Sequence, residues 1–248
     1  MRKIILLAIL FLSSVYGANC QNQDLSLQIP KEIVYEEEGI VDSLYGITLF
    51  EPLNFRLGGD SIRNEKGYAC NGWKKNHYKS GKLLHKGFYV DGQLKIYRNF
   101  YPNGDIERVF NVVDDYKSIM KIYYKGEILK TQVKFVGFDV RKWEDYHPNG
   151  FLSYYEENHR SGYYVTLKTY YISGQLESIF ELSDKKKLKY TKKEFFEDGT
   201  VKTEGQSVFS KSTRDYIKTD TWKYFDKSGK LVKEEIYIMG KVDKETTY

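Results

Sequence analysis

The chain has 248 residues, 39 Lys and Arg against 34 Asp and Glu, 2 Cys and 4 Pro, and is unusually rich in rings, with 23 Tyr and 14 Phe. The formal charge of +5 falls by two, to +3, once Arg2 and Lys3 are removed, which is too mild to argue for nucleic acid. Two cysteines without CxxC spacing exclude a structural zinc site built by cysteine, and the excess of rings suits pleated, half-exposed strands better than a helical core.

Residues 1–17 read as a secretory signal. Arg2 and Lys3 are followed by an apolar run from Ile4 to Leu12, too short for a membrane-spanning helix, which needs about 20 residues. Val15 and Gly17 stand at the −3 and −1 places of a cut before Ala18. Cys20 follows at once, where lipidation, pairing with Cys70 or a plain role near the mature N-terminus all remain open. No later apolar stretch is long enough to span a bilayer as a helix. The mature chain is therefore expected in the periplasm or outer envelope, free or lipid-anchored at Cys20. Residues 18–54, with the acidic run Glu36 to Glu38, read as a cap or edge segment before a repeat domain over 55–248.

The repeat is marked by turn glycines at Gly81, Gly104, Gly126, Gly150, Gly174, Gly199 and Gly229, spaced 23, 22, 24, 24, 25 and 30 residues apart, with Gly92 at a half-period. A fainter copy begins at Phe55, with Gly58 as its turn glycine. Two residues after each glycine stands an aliphatic: Leu83, Leu94, Ile106, Ile128, Leu152, Leu176, Val201 or Leu231. Three residues before it stands a ring in all but the last copy: Tyr78, Tyr89, Tyr101, Tyr123, His147, Tyr171 or Phe196. Asn-Gly and Asp-Gly favour two-residue type I′ hairpins, in which Tyr101 would face Ile106 across the strands. Further turns are expected near Gly137, Arg160 to Gly162, Asp184 to Lys186 and Gly240, and SVFSKSTRDYIKTD reads as a longer loop. The fold class expected is all-β: an elongated antiparallel hairpin meander of about 7–8 repeats of ~24 residues.

From Asn71 to Tyr248 the segments GFYVDGQLKIYRNFYPNGDIE, KWEDYHPNGFLSYYEE, FFEDGTVKTEGQ and TWKYFDKSGKLVKEE resemble the MORN-repeat variant family of bacterial proteins, many catalogued as YwqK-type antitoxins. Trp143 and Trp222, each seven residues before a turn glycine, match the family tryptophan, Tyr97 stands in its place in an earlier copy, and Trp73 is displaced by one residue. The resemblance implies a scaffold or docking surface.

No catalytic constellation emerges. The four histidines show no HExxH or HxH spacing, and His147 falls at the ring position of the repeat. Glu156–Glu157 and Glu234–Glu235 are adjacent, hence on opposite faces of a strand, where they cannot flank one glycosidic bond. No enzyme activity, cofactor or metal is expected. The expectation is a scaffold that binds a protein partner, immunity-like in character, with a glycan or lipid surface as the alternative and no nucleic acid. The candidate surface is Tyr97, Tyr101, Trp143, Tyr146, Tyr171 and Trp222. The run Lys185, Lys186, Lys187 and Lys189 is either an anionic-ligand patch or a solvated hairpin, the latter favoured because one hairpin alone carries the run.

Overall fold

The computed structural model describes residues 63–114, 116–137 and 139–248, together with a short strand pair, β1 (Val41–Asp42) with β2 (Ile47–Thr48). The segment read as a signal, Cys20 and the copy expected at Phe55 lie outside the described residues. A small hairpin, β3 (Asn64–Glu65) and β4 (Tyr68–Ala69), precedes the main array. The array runs β5 (Gly72–His77), β6 (Leu83–Val90), β7 (Gln93–Phe100), β8 (Ile106–Val112), β9 (Lys117–Tyr123), β10 (Leu129–Val136), β11 (Asp139–Tyr146) and β12 (Leu152–Asn158). It continues through β13 (Tyr164–Tyr170), β14 (Leu176–Asp184), β15 (Lys189–Phe195), β16 (Val201–Ser210), β17 (Asp215–Phe225), β18 (Leu231–Ile238) and β19 (Lys241–Thr247). These fifteen strands form one antiparallel sheet in strict chain order, so the expected hairpin meander is the fold.

The glycines make the turns, but by two different geometries. At the repeat turns Tyr101 N donates to Asp105 O and Gly104 N to Tyr101 O, and only Gly104, at φ +97°, is left-handed. This is a three-residue loop, a type I turn closed by a glycine bulge, rather than the expected type I′ hairpin. Pro102 and Pro148 fit its second position, where φ near −65° is wanted. Type I′ turns occur instead at half-periods, at Asp91–Gly92 (φ +48° and +76°) and Met239–Gly240 (+48° and +80°). Near Gly126 the loop is displaced by one residue. Glu127 takes the left-handed bulge position, and Tyr124, not Tyr123, opens the turn.

The longer loop helps reset the register. Phe100, not Tyr101, pairs with Ile106, and Tyr146, Tyr170, Phe195 and Phe225 pair likewise with Leu152, Leu176, Val201 and Leu231. One residue further in, a bulge follows in each copy, and bulges bend the strand and raise its twist. In β8 the bulge breaks the usual alternation of side chains. It brings Glu107 and Arg108 together as a buried ion pair at 3.3 Å. The accumulated bending curls the sheet: Tyr164 of β13 stacks on Tyr216 of β17 at 5.4 Å, although strands four apart in a flat sheet would sit about 19 Å from each other. The stretch SVFSKSTRDYIKTD is mostly not loop. Its residues lengthen β16 and β17, which meet through a short turn at 211–214.

The concave face holds two packed regions. The first gathers Tyr89, Leu94, Tyr97, Phe110, Met120, Ile122, Val133 and Phe135 with Cys70. Its end is covered by β3–β4, where Arg63 N donates to Gly92 O, Gly92 N to Cys70 O and Arg63 Nη1 to Asn76 Oδ1. The second gathers Tyr163, Leu188 and Tyr190, with Tyr164, Phe180, Phe209 and Tyr216 against them. The convex face carries a charged row, where Lys193 pairs with Glu204 and Lys223 with Glu234. That face holds the half-buried pairs of ring and aliphatic beside the turns.

Consecutive repeats are tied by a ladder. Tyr78 Oη donates to Phe100 O (2.7 Å), Tyr101 Oη to Tyr123 O (2.7 Å), Tyr124 Oη to Tyr146 O (3.0 Å), His147 Nε2 to Tyr170 O (3.1 Å) and Tyr171 Oη to Phe195 O (2.8 Å). The ring that opens one turn thus caps a carbonyl beside the next. Phe196 has no hydroxyl, and there the ladder stops.

His85, fully buried with Nδ1 2.7 Å from Asn99 Oδ1, is held neutral, its pKa pushed down by burial to about 4. The unfolded imidazole titrates near 6.5, so between pH 6.5 and about 4 only the unfolded chain takes up this proton, and stability falls as pH falls. The full contribution, present above pH 6.5, is about 3 kcal/mol at 1.36 kcal/mol per pH unit. Unfolding midpoints measured against pH should therefore drop over this window in the wild-type chain and flatten in His85→Gln. An equal slope in both would remove the assignment.

Candidate functional site

Four of the six aromatic residues expected to form a binding surface are structural. Tyr97 is fully buried, stacked on Phe110 at 5.4 Å, and burial pushes its phenol pKa upward. Tyr101, 1% exposed, and half-exposed Tyr171 belong to the ladder. Trp222 is buried: its Nε1 donates to Gln206 O at 3.0 Å, and Lys218 Nζ sits 4.0 Å from its ring centroid. These rings fill the concave side or cap carbonyls, so they do not form the open surface expected of them. The curl supplies the second wall that a flat sheet lacks.

Trp143 remains, half-buried, and lines an open groove of about 1140 Å³ between the two packed regions, whereas the Tyr146 ring pairs with Leu152 on the convex face and only its carbonyl, which accepts from Tyr124 Oη, is turned to the ladder. The groove exists because the concave face changes composition there. From β11 to β13 the cross-strand rows read Trp143, Glu156, Leu167 and Asp145, Tyr154, Thr169, so polar side chains replace the large apolar ones on either side. Met120, Ile122 and Phe135 make an apolar wall next to Trp143. Arg141 and Arg160 stand at the rim, and Arg214 reaches in from the turn between β16 and β17.

The carboxylates of the groove are already engaged. Thr131 Oγ1 donates to Asp145 Oδ1 at 2.6 Å, Tyr154 Oη to Glu156 Oε2 at 2.5 Å, and Asn158 Nδ2 to Glu156 Oε1. Burial and the Glu156 bond push the Tyr154 phenol pKa upward, so it stays a donor at neutral pH. Glu157 and Glu234 accept from Tyr155 Oη and Tyr248 Oη, whereas Glu235 lies with Tyr224, Tyr237 and Lys233, so each adjacent pair does divide between the two faces. Among the described residues no three His, Cys, Asp or Glu side chains converge as metal ligands would. The groove can offer a ring, guanidinium donors and fixed carboxylate acceptors to a bound surface.

Sequence reasoning did not find Tyr164, Arg141, Arg160 or Arg214. Each lies in a different hairpin arm or turn, and only the curl brings them to one groove. The lysine run occupies the turn between β14 and β15, with Lys185, Lys186 and Lys187 exposed and Lys189 paired with Asp220 at 3.0 Å.

No protein-family model matches the chain, and no curated protein matches it. Among solved structures, TarM overlaps 38% of this chain and 19% of its own, at 11% identity and TM-score 0.27. The chain thus spans about a fifth of that protein's length. A protein of unknown function from Bacteroides fragilis NCTC 9343 overlaps 60% of this chain and 90% of its own, at 9% identity and TM-score 0.14. Overlaps this low assign neither a family nor an activity.

Proposed function

We propose that the protein is an exported, non-enzymatic scaffold of the MORN-variant type that holds another protein in the concave groove at the cell envelope. One observation carries the reading. Between the two packed regions of the concave face, Trp143 is left half-open in a groove lined by Arg141, Arg160 and Arg214, and Trp, Tyr and Arg are the residues that dominate the energy of protein interfaces. The packed regions on either side hold the site rigid, which lowers the ordering cost of binding. Occlusion of a toxin, as an immunity protein would perform it, is one form this binding takes.

Crosslinking and pull-down from the native envelope tests the reading. The wild-type chain is expected to capture one protein stoichiometrically. Trp143→Ala, which removes a half-exposed ring from the border of the first packed region, should weaken capture about thirtyfold, equivalent to ~2 kcal/mol at a hot spot, with an unchanged far-UV circular dichroism spectrum. Undiminished capture by that variant would remove the groove from the proposal.

A further inference from the structure

The turns opposite the ladder edge carry a charge pattern that no single hairpin reveals. Three successive ones are HRSG (159–162), KKKL (185–188) and KSTR (211–214), joining β12 to β13, β14 to β15 and β16 to β17. They bring Arg160, Lys185, Lys186, Lys187, Lys211 and Arg214 to one edge, all exposed. The turns recur every second strand, hence at steps of about 10 Å along the edge. Solvation of a lone lysine hairpin no longer describes this run, because its neighbours on both sides are basic too.

These cations are displayed rather than neutralised. Among the described residues none of the six makes a salt bridge, whereas Lys189, Lys192 and Lys193 do. The nearby carboxylates serve the backbone: Asp184 Oδ1 accepts from Lys186 N (2.8 Å) and Lys187 N (3.0 Å), and Asp215 Oδ1 from Tyr216 N (2.7 Å). The lysine turn is also anchored, since Leu188 is buried in the second packed region and its carbonyl accepts from Phe209 N at 3.0 Å. The imidazole of His159 senses the cluster: its pKa is lowered first by burial, then by the charges of Lys185, Arg160 and Arg141. Beneath the tips lies a second cavity of about 750 Å³, walled by Lys185, Lys186, Lys211 and Arg214 over Tyr163 and Tyr216.

We infer that this edge is a binding site for an acidic polysaccharide, adjoining the groove and sharing Arg160 and Arg214 with it. A linear polyanion matches a row of cations fixed at regular steps, and its hydroxyls match Ser161, Ser212 and Thr213 among them. A single-stranded nucleic acid fits less well, because its bases need free ring faces and those of Tyr163, Tyr164, Tyr190 and Tyr216 are spent on one another or on His159, Phe180 and Phe209. A membrane surface fits less well too, since among the three loops only Leu188 is apolar and it points into the core. An extended peptide would find closed turns here instead of an unpaired strand edge.

Affinity electrophoresis of the mature chain in gels containing polygalacturonate tests this. Retardation is expected, lost by at least tenfold in apparent affinity in Lys185→Ala/Lys186→Ala/Lys211→Ala/Arg214→Ala. A matched variant losing Lys134, Lys168, Lys193 and Lys223 on the convex face removes the same charge and should keep the retardation. Far-UV circular dichroism verifies that both fold. Equal loss in the two variants would reduce the effect to net charge and overturn the site. So would the absence of retardation, or binding of polyglutamate, an oligothymidylate or anionic vesicles as tight as that of polygalacturonate.

Discussion

Gly205→Ala is expected to destabilise the C-terminal hairpins by about 3 kcal/mol, at the upper end of what overpacking a well-filled site costs. Gly205 lies in β16 with an ordinary backbone, so the demand is spatial. A methyl group there would fall within the Trp222 indole, which lies across the glycine. The indole cannot retreat cheaply, because it is buried, donates to Gln206 O and has Lys218 over its ring. A bulge at Asp220, left-handed at φ +61°, helps aim the tryptophan at this point. Denaturant unfolding followed by tryptophan fluorescence should show the loss together with a red shift as Trp222 is expelled. In the Gly205→Ala background Trp222→Leu should cost much less than it does alone, because residues in contact couple. Simple additivity of the two would show that the glycine is not there for the ring.

The second large effect comes from the ladder. Each of Tyr78→Phe, Tyr101→Phe, Tyr124→Phe and Tyr171→Phe deletes one hydroxyl and leaves one carbonyl without its donor, at about 1 kcal/mol apiece. The rungs stand two or more strands apart, about 10 Å at the least, so the four should sum to about 4 kcal/mol. Tyr101→Ala, which also empties a buried ring site, should cost 3–5 kcal/mol by itself, in the range of large-to-small core changes. Hydrogen exchange at the amides flanking each turn would locate the losses. If the fourfold phenylalanine variant unfolds with the wild-type chain, the ladder contributes nothing to holding the repeats together.

These two features mark what the sequence discloses and what it withholds. The turn glycines, the meander and the nearest-neighbour order are legible because each is written within one hairpin: a glycine, a ring three residues before, an aliphatic two after. The geometry of the turn was misread because Asn-Gly serves two turn types, and a single extra loop residue exchanges Tyr101 for Phe100 as the partner of Ile106. The burial of Tyr97, Tyr101 and Trp222 was illegible for a deeper reason. It depends on curvature, which accumulates from a bulge in nearly every strand pairing of the array. The groove shares that dependence, whereas the basic edge needs only strand order: Arg160, Lys185 and Arg214 lie in three separate turns that the meander sets side by side.

The resetting of register at every glycine turn has an evolutionary corollary. Strands β16 and β17, of 10 and 11 residues, sit in the same sheet as seven-residue neighbours, and the pairing beyond them is undisturbed. A length change is therefore absorbed inside the hairpin where it arises, as a line break absorbs a longer word. Such a chain can gain, lose or lengthen units one at a time, and a lineage can redraw its groove without first solving the fold again.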